Sequence, residues 1–203
     1  MHVAPERGRR AFDPLVALNA AKEVFWRYGY EGASLTDLTT AMGINKPSLY
    51  AAFGSKQELF EKVIQAYAAD DMAYARAAME QPTAYEVAAA LLHDNAIAVT
   101  RPDCPPGCLS IQGGISTGPA NASVTEFLAT SRLAGEALLA DRFRRAVDTG
   151  DLPRDTDPAA LARFLMIVTE GQAIHATAGV SRADLQASAS LALLVFRSLS
   201  GAS

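Results

Sequence analysis

The chain has 203 residues, half of them hydrophobic and a fifth charged, enough for one or two compact domains with a substantial core. Its formal net charge of −4 excludes the broad basic face of a general nucleic-acid binder. No segment reaches the roughly eighteen unbroken apolar residues of a membrane span, and no apolar run near the N-terminus suggests a signal peptide. A cytoplasmic chain whose two cysteines remain thiols is therefore expected.

Alanine is abundant and alternating Val/Ile/Thr runs are missing, which points to an all-α fold. Residues 1–11, with Arg7, Arg9 and Arg10, read as a flexible basic arm, either reaching a phosphate or minor groove or simply solvated. Asp13-Pro14 opens the first helix, with Leu18, Ala21, Phe25 and Tyr28 as its inner face and Gly29 as its stop. Ser34 and Asp37 form a capping pattern for a second helix, in which Leu38, Ala41 and Met42 have the spacing of a buried stripe.

Gly43 then supplies a left-handed turn, Ile44 plugs between the helices, and Asn45 caps a third helix. Pro47 falls in that helix's first turn, where its missing N–H costs nothing. Leu49, Ala52 and Phe53 continue the inward face, leaving Lys46, Ser48 and Tyr50 as a donor-rich set on other faces. Two short helices around a tight glycine turn are the unit that lays a helix into the major groove of DNA. The alternative is a pair of ordinary short helices in a helical domain.

Gly54 ends the third helix, and Ser55-x-x-Glu58 caps a fourth that is expected to run to about Met79. Gln81-Pro82 breaks it, and Thr83-x-x-Glu86 starts another that ends before Arg101-Pro102. A rigid loop, Asp103-Cys104-Pro105-Pro106-Gly107, leads into a short apolar helix over about 108–116. Ser123-x-x-Glu126 opens a long helix to Gly150, Asp157-Pro158 the next to Gly179, and Ser181-x-x-Asp184 the last. Nine helices result. Residues 1–65 hold eight Lys/Arg and seven Asp/Glu (+1), and the remainder ten and fifteen (−5), so any DNA contact has to be local.

Residues 12–65 resemble the DNA-binding domain of the TetR/AcrR-type repressors. The resemblance rests on Phe25-Trp26-Arg27-Tyr28-Gly29-Tyr30-Glu31-Gly32, Ser34-Leu35-Thr36-Asp37-Leu38, Met42-Gly43-Ile44, Ser48-Leu49-Tyr50-Ala51-Ala52-Phe53 and Ser55-Lys56. Thr39 departs from it, standing where that family usually carries alanine at the helix–helix contact. The resemblance implies a homodimeric transcriptional regulator, most simply a repressor released from a palindromic double-stranded DNA operator by a small-molecule effector. It divides the chain into the arm (1–11), a helix-turn-helix domain (12–56), a linking helix (57–80) and an effector-binding and dimerisation domain (81–203).

Tyr50 and Lys56 match the family's Tyr-x-x-Phe-x-x-Lys stretch, whose tyrosine and lysine are used on the DNA backbone. Lys46, Ser48 and Tyr50 are the expected contacts from the recognition helix, with Ser34, Thr36 and Lys56 on flanking phosphates. Tyr50 packed against the first helix is the competing reading. The resemblance also implies that the last two helices pair with their copies in a second chain. Leu161, Leu165, Val168, Gln172, Leu193 and Phe196 are the candidate interface residues, the competing reading being that the apolar surplus fills the monomer's own core. An effector cavity is implied among the body helices, with Tyr67, Ile97, Ile111, Phe127, Phe143, Met166 and His175 as candidate lining or core residues.

Cys104 and Cys108, four apart around Pro-Pro-Gly, are either an oxidant- or metal-sensing pair or plain core residues. Two thiols without a nearby His are too few for a closed zinc site, so no metal is expected. No catalytic constellation appears, and neither an enzyme nor a cofactor is expected. A helical ligand- or protein-binding dimer without DNA recognition stands as the other class of function.

Overall fold

A computed structural model describes residues 13–114 and 117–200, so the expected basic arm lies outside the described residues. Ten α-helices order them: α1 (Pro14–Gly32), α2 (Leu35–Met42), α3 (Lys46–Phe53), α4 (Lys56–Asp70), α5 (Ala73–Met79), α6 (Ala84–Ala98), α7 (Leu109–Gln112), α8 (Ala122–Thr149), α9 (Pro158–Thr177) and α10 (Arg182–Ser200). A 3-10 turn, Pro119–Asn121, leads into α8. No strand occurs among the described residues, and none of their helices is long and apolar enough to cross a membrane.

The nine expected helices become ten because the one drawn from Ser55 to Met79 is broken at Asp71-Met72. Long-range ion pairs converge on the break. Asp71 accepts from Lys22 of α1 and from Arg101 beyond α6, both at 2.7 Å. Burial alone would raise the Asp71 pKa, but the bonds and charges of these two cations hold it below the ordinary carboxylate value. Arg76 folds back to donate to the carbonyls of Ala68 and Ala69, closing the end of α4 with a side-chain cap.

Other punctuation falls where the residues demand it. Asp13 caps α1 through Leu15 and Val16, Thr83 and Glu86 form a reciprocal capping box on α6, and Asp157 caps α9. Ser123 does not cap α8, which begins one residue earlier, and its hydroxyl instead donates to Gln57 at 3.0 Å. Gly29 (φ 66°, ψ 179°) interrupts the helical path of α1 at the expected stop.

Two buried clusters organise the packing. One gathers the inner faces of α1–α4, including Phe25, Leu38, Leu49, Phe53 and Phe60, and continues through Cys108, Leu109, Val124 and Leu128 to Leu185. Phe60 stands edge-on to both Phe25 and Tyr30, at 5.0 and 5.2 Å between ring centroids. The other joins α6, α8, α9 and α10 around Phe143, Leu165, Leu193 and Phe196. The first cluster thus carries one continuous core from the recognition helix into the body.

Candidate DNA-binding surface and effector cavity

The helix-turn-helix is built from reciprocal local bonds. Ser34 Oγ accepts the Asp37 backbone N–H at 3.1 Å, and Asp37 Oδ2 accepts from the Ser34 backbone N–H at 3.1 Å and its hydroxyl at 2.5 Å. These bonds, the hydroxyl's first, hold the Asp37 carboxyl below the ordinary range. Gly43 turns the chain in the left-handed region (φ 66°, ψ 30°), with open space where a Cβ would stand, so its requirement is conformational. Asn45 Oδ1 then accepts the Ser48 N–H at 2.9 Å and starts α3.

Within α2 the buried face is Leu38, Thr39 and Met42, while Ala41 points out. Thr39 is accommodated there because its hydroxyl donates to the Leu35 and Thr36 carbonyls at 2.8 and 3.2 Å. In α3 Leu49 and Phe53 face inward, and Ala52, expected inside, is exposed. Tyr28 likewise leaves the inner face of α1, where Trp26 and Tyr30 are buried instead.

Lys46, Ser48 and Tyr50 are all exposed, Tyr50 at 46%, as are Ser34 and Thr36. Tyr50 is thus not packed into the first helix. Lys56 is only half-exposed: its ammonium lies 4.5 Å from the centre of the Tyr30 ring. Burial lowers the Lys56 pKa, and the carboxylate of Glu31 opposes that in part. Pro47 and Ala51, outside the expected contact set, are exposed on the same short helix. Their signal was the helical repeat itself, since neither shares the face of Leu49 and Phe53.

A cavity of about 530 Å³ lies in the body, walled by α4, α5, α6, α8 and α9 and by the start of α7. Of the candidate residues, Ile111, Phe127 and Met166 line it, beside Leu91, Leu128 and Leu139. Tyr67, Ile97, Phe143 and His175 do not line it. Phe143 is wholly buried in the second cluster, Ile97 and His175 are exposed, and Tyr67 stands behind Cys108.

The polar part of the wall is a chain of bonds: Tyr74 Oη donates to Asn95 Oδ1 at 2.8 Å, and Asn95 Nδ2 to Gln172 Oε1 at 2.6 Å and the Thr169 carbonyl at 3.0 Å. Burial pushes the Tyr74 phenol above its ordinary pKa, so it remains a donor. Glu170 also reaches the cavity. Burial raises its carboxyl pKa, with Arg132 opposing and Glu136 adding to the rise.

The six residues offered as a dimer face point the other way. Leu161, Leu165, Leu193 and Phe196 are buried in the subunit's own second cluster, and Val168 packs against it. Gln172 is 3% exposed and donates to the Leu92 and Leu185 carbonyls. The outward apolar residues of α9 and α10 are instead Ile167, Ile174, Leu191, Leu194 and Val195, at 40–69% exposure.

The two cysteines have separate surroundings. Arg101 Nε donates to Cys104 Sγ at 3.2 Å, while Cys108, buried at the cavity wall, accepts from Tyr67 Oη at 3.4 Å. No group of three or more His, Cys, Asp or Glu suited to a metal occurs among the described residues.

This geometry has counterparts in known proteins. Residues 17–63 match the profile of the bacterial regulatory proteins of the tetR family, and residues 84–196 the tetracyclin repressor-like C-terminal domain. The HTH-type transcriptional repressor ComR of Escherichia coli (strain K12) is 31% identical over 88% of this chain and 87% of its own. The regulator CifR, solved as a cysteine mutant complexed with 26bp double-strand operator DNA, is 39% identical with a TM-score of 0.87, covering 91% of this chain and 97% of its own. A TetR transcriptional regulator from Rhodococcus sp. RHA1 is 41% identical with a TM-score of 0.60, covering 91% and 98%. An exposed, capped α3 on a shared core and a match along both parts of the chain give one conclusion: this protein belongs to the TetR family of DNA-binding transcriptional regulators.

Proposed function

We propose that the protein is a homodimeric repressor whose two α3 helices enter successive major grooves of a palindromic operator. A small molecule entering the body cavity releases it. The observation that carries this reading is the continuous buried cluster, which joins Leu49 and Phe53 beneath the recognition helix to Cys108 and Leu128 in the cavity wall. Through one packed core, a change of shape at the cavity is felt at the DNA surface. The names of relatives support the same reading, since ComR is called a repressor and CifR was solved on operator DNA.

On the DNA side, Tyr50, Lys56, Ser34 and Thr36 serve phosphates and fix register, while Lys46 and Ser48 reach base edges. Pro47 and Ala51 add apolar surface of the kind that meets a thymine methyl group. Two such helices, related by a two-fold axis, have to stand about 34–36 Å apart to meet one face of the duplex. The apolar row Ile167, Ile174, Leu191, Leu194 and Val195 supplies the dimer contact, with residues of α9 seven apart and those of α10 three and four apart.

The cavity suits a compact, largely apolar effector with one or two hydrogen-bonding groups, which Tyr74 and Asn95 would meet. Such a ligand shifts the dimer only as far as its affinity differs between the operator-competent and released shapes.

Titrating a labelled duplex from the DNA flanking the protein's own gene, read by fluorescence anisotropy, tests the reading. Saturable binding that weakens steeply with salt is expected. Tyr50→Phe should weaken it by roughly threefold to tenfold, about the scale of one ordinary hydrogen bond, with the melting temperature nearly unchanged. Equal affinity for this duplex and a scrambled one would remove DNA recognition from the account.

A further inference from the structure

The last turn of α1 is fastened to the body by the same stretch of chain that helps wall the cavity. Beyond the break at Gly29, the Tyr30 backbone N–H donates to the Gly113 carbonyl at 3.0 Å. One residue on, Glu31 Oε1 accepts from the Gly118 backbone N–H and from Asn121 Nδ2, the latter at 3.0 Å. Ser123 Oγ adds a bond to Gln57 of α4. The approach is close: a Cβ on Gly113 would stand 2.9 Å from the Phe60 ring, and one on Gly118 would stand 3.2 Å from Glu31 Oε1.

On the body side, Cys108, Ser110 and Ile111 of the cavity wall lead directly into Gly113, and Phe127 and Leu128 follow Ser123 along α8. On the head side, Glu31 lies just before Ser34, the cap of α2, and its charge acts on Lys56 at the start of α4. The carboxylate therefore sits between the ligand-facing wall and two of the residues assigned to phosphate.

We infer that Glu31 is a positioning residue of the operator grip, a latch that holds the DNA-binding head at its competent angle while the cavity is empty. This rests on the reading of the cavity as the effector site. A ligand pressing on Ile111, Phe127 or Leu128 draws the Gly118 and Asn121 donors away from Glu31, and the head is freed to tilt. The latch carries a signature opposite to plain electrostatics. Deleting a carboxylate from a DNA-binding head ordinarily tightens phosphate binding, because a repulsive charge is lost. Here deletion should loosen it.

The test is the same anisotropy titration on Glu31→Ala, Glu31→Gln and Asn121→Ala, with thermal melts alongside. Glu31→Ala and Asn121→Ala should weaken operator binding by roughly threefold to tenfold, the range of one hydrogen bond's net contribution, and Glu31→Gln, which keeps an acceptor oxygen, by less. Asn121→Ala leaves α1 intact and carries this arm if Glu31→Ala folds poorly.

A second arm fills the cavity without a ligand. Gly135 lines it with no atom within 4 Å of where a Cβ would stand, so Gly135→Phe adds a ring at the cavity wall without a clash at its Cβ. The filled cavity should cost about tenfold in operator affinity with the latch intact and less than about twofold in the Glu31→Ala/Asn121→Ala background. Operator binding by Glu31→Ala as tight as or tighter than wild type overturns the latch, as does an equal cost of Gly135→Phe in both backgrounds. If Gly135→Phe costs nothing even with the latch intact, the effector reading of the cavity falls, and the latch with it.

Discussion

The helix-turn-helix and the α9–α10 face are both helix pairs, yet they take their geometry from different sources. Between Ser34 and Gly54 nearly every constraint is local: a capping box, a left-handed glycine, an Asn cap and a proline in the first turn each act within four residues. In α9 and α10 the helices are equally regular, but which side faces the subunit's own core is decided by contacts with α6 and α8. Local chemistry fixes how a chain bends. Only tertiary packing decides which of two apolar faces is covered, and by what.

The sharpest way to break this comparison uses two adjacent residues of α10. Leu193→Ala removes an inward side chain that is 4% exposed and should cost about 2–5 kcal/mol of stability, measured by urea unfolding. Leu194→Glu places a charge on a side chain 54% exposed in the single subunit. It should leave helicity intact and shift sedimentation equilibrium toward the monomer, raising the dissociation constant by about tenfold or more. Reversed outcomes would exchange the inner and outer faces.

A smaller effect sharpens the local half. Ser34→Ala removes one side of the capping box and should cost about 1 kcal/mol, since four first-turn N–H groups depend on such caps. Operator affinity should fall modestly as well, because the same residue is assigned to a phosphate. A stability change below about 0.3 kcal/mol in a thermal melt would mean that packing, rather than the cap, sets the start of α2.

These differences explain what could be read from the residues. The head was legible because Ser34, Gly43, Asn45 and Pro47 act through backbone chemistry that survives without knowledge of neighbours. Alanine misled even there: Ala41 and Ala52 fit a buried stripe by spacing, but so small a side chain gains little from burial and tolerates water. The break at Asp71-Met72 left no local mark, since neither glycine nor proline makes it. The side chain at the break pairs with Lys22, 49 residues earlier, and Arg101, 30 residues later. Gln172 is expected at the dimer interface, whereas it is a buried hub satisfied by Asn95 and two backbone carbonyls. The cavity was the least legible feature, because the residues that line it and those that fill a core have the same chemistry. Ile111 and Phe143 differ only in what stands opposite them.

The central claim is that two copies of α3, carried on one two-fold dimer, read adjacent major grooves. Hydroxyl-radical and methylation-protection footprinting on the DNA flanking the protein's own gene tests it most directly. The account predicts two protected major-groove segments on one face of the duplex, separated by about one helical turn or a whole multiple of it, both lost together in Leu194→Glu. A single protected segment, or a pair that persists in the monomer, would contradict it.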